Sequence, residues 1–196
     1  MRDLISTPIT PGLRLAVIGN SAGELLSALG IAPAPLEEAD GAIFLVSARD
    51  GVTPDDQTQW SAARELYIPS LVVINDLQGS EIDFDDMAAI AGRLLDPVVT
   101  PFLVLHADNG DPLALIDLDT LEIHENSSGK WIARESEAEH KILVLEFRQE
   151  FLEAIDAAGD AAFENGLLYP ALPFVPDTGL GLIEIREYVN QLPVRS

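Results

Sequence analysis

The segment Gly19-Asn20-Ser21-Ala22-Gly23-Glu24-Leu25 follows a short apolar run and is the place to look for phosphate chemistry. A phosphate loop, G-x-x-x-x-G-K-[ST], needs backbone N–H groups to cradle the phosphates, a Lys to neutralise them and a hydroxyl to hold magnesium. Here three residues separate the glycines, Glu24 stands in the Lys position and Leu25 in the hydroxyl position. A lysine at contact distance supplies ~4 kcal/mol of attraction at intermediate dielectric. A glutamate reverses the sign, and the swing is worth several powers of ten in affinity. The plainer reading of Gly19 and Gly23 is a tight strand-to-helix turn, and it is the preferred one.

Other chemistry is thinner. His106, His124 and His140 have no ligand spacing and read as surface or satisfied histidines. Asp108-Asn109-Gly110-Asp111 lacks the D-x-D-x-D-G order and closing Glu of a calcium loop, so it reads as an acidic hairpin turn. Ser21 and Ser47 have no recognisable histidine–carboxylate partners. Asp55-Asp56 is a helix start before it is a catalytic pair. With no cysteine in the chain, thiolate zinc sites, disulfides and cysteine nucleophiles are excluded.

The elements that would position these residues alternate. Leu13–Ile18, Gly41–Ser47 and Ser70–Asn75 are apolar runs of the kind buried on both faces of a sheet. Helices are expected over Ala22–Leu29, from Pro54 through Leu66, and over Asp83–Leu95. That rhythm predicts a parallel sheet with helices on its faces and right-handed crossovers. Val98–His106, Leu113–Asp117, Leu121–Glu125 and Lys130–Ala133 then read as a small antiparallel insert. Ser136–Phe163 is helical and charged, with an apolar spacing that slips near Lys141–Leu145. Tyr169–Val175 is a last strand, and Gly179–Leu192 a last helix.

The 196 residues carry 33 acidic and 11 basic side chains, a formal net charge of -22. Such a surface repels nucleic-acid backbones and free nucleotides, so direct nucleic-acid binding is not expected and a basic protein is the natural partner. The plain alternative is that the charge serves solubility alone. No apolar run approaches the roughly 20 residues that cross a bilayer. No membrane contact is expected, and the reading is a cytoplasmic protein.

Leu36–Asn75 (LEEADGAIFLVSARDGVTPDDQTQWSAARELYIPSLVVIN) then resembles the G domain of the translational GTPases, elongation factor G most of all. A strand leads into Arg49-Asp50-Gly51-Val52, then Gln57, Thr58 and Trp60, then a helix and an Ile-Pro before the next strand. Leu168–Pro193 resembles that domain's last strand and helix, and the antiparallel insert sits where elongation factor G carries its own. The resemblance implies a trimmed P-loop-GTPase-like α/β fold of three layers, with a mainly parallel sheet and a small antiparallel insert. It implies one degenerate domain over 1–196 with the insert at 98–145.

Set against that family, the guanine motif Asn-Lys-x-Asp is matched by Asn75-Asp76-Leu77-Gln78. Asn75 fits, Asp76 replaces the Lys, and the Gln78 amide cannot offer two acceptor oxygens to the guanine edge. Asn75 reads equally as a strand-end cap. Only Glu24–Asp40 separates the phosphate-loop remnant from the next strand, which leaves no room for the switch loop or the Asp-x-x-Gly segment. The expectation is therefore a pseudo-GTPase that acts as a protein-interaction or regulatory module. No catalytic residue, metal or cofactor is expected, and Gly19, Gly23, Glu24, Asn75 and Gln78 are vestigial. The alternative is a residual guanine-nucleotide-binding protein or NTPase with altered chemistry. Losing the switch strands leaves Leu13–Ile18 at a sheet edge, which Met1–Gly12 or a second copy of the chain is expected to cover.

Overall fold

The computed structural model describes residues 1–194. Along the chain come β1 (Arg2–Asp3), β2 (Leu15–Ile18), α1 (Ala22–Leu29), β3 (Gly41–Ser47), α2 (Pro54–Glu65), β4 (Ser70–Asn75) and α3 (Phe84–Leu94). Then follow β5 (Val98–Val99), β6 (Phe102–His106), β7 (Pro112–Asp117), β8 (Glu122–Ser127), β9 (Lys130–Glu135), α4 (Ala138–Leu143), α5 (Leu145–Ala158), β10 (Tyr169–Pro173) and α6 (Leu182–Val189).

The apolar runs become a parallel sheet in the order β2-β3-β4-β10-β5. Every residue of β3, β4 and β10 is buried, as strands covered by helices on both faces require. The second sheet is antiparallel, in the order β1-β9-β8-β7-β6. Its inner face forms a smaller core of Leu103, Ile116, Leu118 and Ile123 with Val144 and Phe151 of the adjoining helical segment. No helix among the described residues is long and apolar enough to cross a membrane.

Three expectations change. Val98–His106 is not one strand: β5 joins the parallel sheet and β6 the antiparallel one. Pro101 lies at the break, where it offers no N–H and its carbonyl accepts from Leu118. The long helix over Ser136–Phe163 splits at Val144 and ends before Gly159, whose φ of 82° leaves the helical region.

The third change concerns the edge. β2 is the edge strand, yet the strand within Met1–Gly12 pairs with β9 and not with it. The Leu15 carbonyl accepts instead from the Ala34 N–H (2.8 Å), in the proline-rich linker between α1 and β3. Pro33 and Pro35 restrict that linker and help turn it back along β2. The N-terminal segment is drawn elsewhere: Arg2 bonds Glu122 (2.7 Å), β1 pairs with β9, and Thr10 donates its N–H to Asn190 Oδ1 (2.8 Å). It straps α6 to the antiparallel sheet.

Candidate functional site at the carboxyl end of the parallel sheet

Ligands of open parallel sheets bind outside the carboxyl ends of the strands. Two clefts lie there. The first, about 240 Å³, is bounded by Gly19 and Asn20 on one side and by Asp50, Thr53, Asp55 and Asp56 on the other. The second, about 220 Å³, is lined by Glu24, Arg49, Asp76, Gln78, Pro176 and Asp177 among others. Each falls below the roughly 300 Å³ of a usual small-molecule pocket.

The structure therefore divides the five sequence-derived positions. Gly19 belongs to the first cleft, and Glu24 and Gln78 to the second. Gly23 is exposed on the first turn of α1. Asn75 is buried at the end of β4, where its backbone carbonyl accepts from the Ala48 N–H (2.9 Å). Its side-chain oxygen has no hydrogen-bond partner among the described residues. Gly19 has φ 116°, and a Cβ there would overlap the Leu45 carbonyl oxygen, so β3 requires glycine at this turn. Gly23 faces no such demand, because the space around it is open.

The electrostatics are one-sided. The first cleft presents Asp50, Asp55 and Asp56 and no cationic side chain. In the second, Glu24, Asp76 and Asp177 meet one cation, and Arg49 is already donating to the Gln78 carbonyl (2.7 Å). Leu25, in the position of a magnesium-holding hydroxyl, is wholly buried in the core. This donor set does not fit a magnesium–triphosphate group.

The loop between β3 and α2 is closed on itself. Ser47 Oγ accepts from the N–H groups of Arg49 and Asp50 (3.2 Å each), and Gly51 N–H donates to the Ser47 carbonyl (2.8 Å). Thr53 and Asp56 form a reciprocal capping box: Thr53 N–H and Oγ1 both reach Asp56 Oδ2 at 2.8 Å, and Asp56 N–H returns to Thr53 Oγ1 at 3.2 Å. Downstream on α2, Trp60 packs edge-on against Phe44 and Tyr169 and donates to Asp96 (2.8 Å).

Sequence reading missed one buried polar pair. His124 Nδ1 on β8 lies 2.7 Å from Glu184 Oε1 on α6, and both side chains are buried. Beside them, burial and then the Glu184 charge push the Glu187 carboxyl above its ordinary range, with His124 and Arg2 opposing. The pair joins positions 60 residues apart, so no local motif announces it. His106 and His140 stand near the surface beside Asp83 and Glu137.

No protein-family model matches the chain. It is 28% identical over 141 residues to elongation factor G of Jannaschia sp., covering 70% of this chain and 20% of that protein. It is 33% identical over 128 residues to GTPase Der of Vibrio atlanticus, covering 56% of this chain and 25% of that protein. A crystal structure of a protein from Thermus thermophilus superposes with a TM-score of 0.69 at 27% identity, over 81% of this chain and 27% of that one. The chain thus spans a fifth to a quarter of the length of the first two relatives. Fold and relatives together support, at modest identity, a likeness between this chain and the G domain of elongation factor G.

Proposed function

We propose that this translation-factor-like domain is a pseudo-GTPase, a scaffold that binds a protein and not a guanine nucleotide. One observation carries the reading: β2 forms the sheet edge and runs directly into a strand-to-helix turn, and α1, a 3-10 turn at Leu36–Glu38 and the proline linker fill the span to β3. Nothing in that span can sense a γ-phosphate or orient a water. The carboxylate lining of both clefts supports the same reading, since phosphate would meet like charge. On this reading the domain is not an enzyme, needs no metal or cofactor, and works in the cytoplasm.

The competing reading, residual guanine-nucleotide binding, draws on the name of the relative GTPase Der and on Asn75, whose buried amide oxygen is unpartnered among the described residues. Purification under native conditions, followed by denaturation and chromatography of the supernatant, separates the two. A pseudo-GTPase releases no guanine nucleotide. Stoichiometric GDP in the supernatant overturns the proposal.

A further inference from the structure

A cleft of about 430 Å³ lies where three distant segments meet: the N-terminal strap, the tip of the β8–β9 hairpin and the start of α6. It shares no lining residue with the two clefts at the strand ends, and its volume falls in the range of small-molecule sites. Leu4, Trp131, Leu182 and Ile183 form apolar walls. The Leu4 N–H donates to the Trp131 carbonyl (2.9 Å) and so holds the strap against the hairpin. Ile5, 78% exposed, lines the cleft as well.

Three polar groups here lack partners. Trp131 is half-buried and packs against the main core, yet its indole N–H has no hydrogen-bond partner among the described residues. The chain's other indole, Trp60, donates to Asp96 (2.8 Å), as a buried tryptophan ordinarily does. Gly179 stands beside the free N–H: a Cβ there would lie 4.0 Å from Nε1, and glycine leaves the indole edge open. Asp3 and Lys130 also line the cleft. Both are exposed, and neither makes an ion pair among the described residues, with the other or elsewhere.

The pairing of opposite charges selects the occupant. An anion would satisfy Lys130 and meet Asp3, and the chain's net charge of -22, as like charge. A cation would reverse the mismatch at the rim. A zwitterion answers both charges and carries no net charge against the field of the chain. Its two charges must sit on one small body, which excludes a peptide with its charges at opposite ends. The indole and the aliphatic walls favour an aromatic ring. We infer that this cleft binds a free aromatic amino acid. Its carboxylate accepts from the Trp131 indole N–H and faces Lys130, its ammonium faces Asp3, and its ring lies among Leu4, Trp131 and Leu182. The inference stands apart from the pseudo-GTPase reading.

The probe is L-phenylalanine. N-acetylphenylalanine lacks the ammonium, phenylalaninamide lacks the carboxylate, and free glycine lacks the ring. Heteronuclear NMR of the full chain follows each titration. Phenylalanine is expected to saturate with a dissociation constant of about 1 mM or tighter, within reach of a ligand of its size. It should move the Trp131 indole N–H signal, which Trp131→Phe identifies, and leave that of Trp60 in place. Amides of Leu4, Lys130 and Leu182 should move with it. Either blocked derivative should bind roughly threefold or more weakly, and glycine should not bind. Lys130→Gln and Asp3→Asn, at exposed positions outside the core, should each weaken phenylalanine by about threefold, the scale of an exposed charge pair. Asp3→Asn should at the same time tighten N-acetylphenylalanine, a reversal that damage to the fold would not produce.

An unmoved Trp131 indole signal at about 10 mM phenylalanine, far above the expected constant, overturns the inference. So does N-acetylphenylalanine or phenylalaninamide binding as tightly as the zwitterion, shifts confined to other residues, or unchanged affinity in both charge variants. Guanine nucleotide binding would remove the pseudo-GTPase reading and leave this site untouched. Failure of phenylalanine to bind would remove this site and leave that reading standing.

Discussion

Two loops leave the same end of the parallel sheet side by side, and their residues are used differently. The Ser47–Asp56 loop, which carries the most family-like residues, is held by its own hydrogen bonds: Ser47 Oγ, the Gly51 N–H and the Thr53–Asp56 box. The Gly19–Leu25 turn keeps the one glycine that β3 demands, while the residues that would do chemistry are Glu24 and a buried Leu25. On the proposed pseudo-GTPase reading, the residues that shape the scaffold are kept and those that would serve a nucleotide are not.

If the Ser47 loop and α2 are structural, the largest loss should come from their anchor. Trp60→Ala should destabilise the domain by about 3–5 kcal/mol, because a buried indole and its packing on Phe44 and Tyr169 disappear together. Denaturant unfolding measures it, and a change under about 1 kcal/mol would show that the α2 face is not what holds this half. Next come the two glycines of the other turn. Gly19→Ala should cost roughly 2–3 kcal/mol, from positive φ and overlap with the Leu45 carbonyl. Gly23→Ala should instead stabilise by about 0.5–1 kcal/mol, since it lies in helix with open space around it. Equal effects at both positions would mean that the turn is kept for something other than packing. Asp56→Ala should cost about 1–2 kcal/mol through loss of the capping box.

The smallest expected effect is at the N-terminal strap. Arg2 holds the Glu122 carboxyl below the usual carboxylate range by a direct hydrogen bond. A depressed carboxylate contributes its stability above the unfolded value, near about 4.3, and loses it as pH falls through the folded one. Proteolysis of the first residues should therefore quicken as pH drops below that range, and Glu122→Gln should remove the dependence.

The parallel layer was legible because its strands are short apolar runs stopped by Gly, Asp or Pro. β3, β4 and α1 fall on Gly41–Ser47, Ser70–Asn75 and Ala22–Leu29 as the periodicity predicts. The antiparallel layer was legible in its hairpins and not in its joints. Pro101 divides two sheets within one apolar run, and Val144 breaks a helix where only a spacing slip hints at it. The place of the N-terminal segment was misread because local sequence does not say that Arg2 will find Glu122, 120 residues away, or that Ala34 will reach Leu15. The site was legible as a set of motif positions. That Gly19 and Glu24 would face different clefts, and that Arg49 would be spent on Gln78, depended on how the loops fold over the strand ends.

The central claim is that the scaffold remains and the nucleotide site does not. Titration calorimetry of the full chain with GTP and with GDP, in magnesium at millimolar nucleotide, tests it most directly, run in parallel on Glu24→Lys. The account predicts no saturable heat for either chain, because restoring one charge restores neither the magnesium ligands nor the guanine acceptor. A dissociation constant in the micromolar range for the parent chain would contradict it.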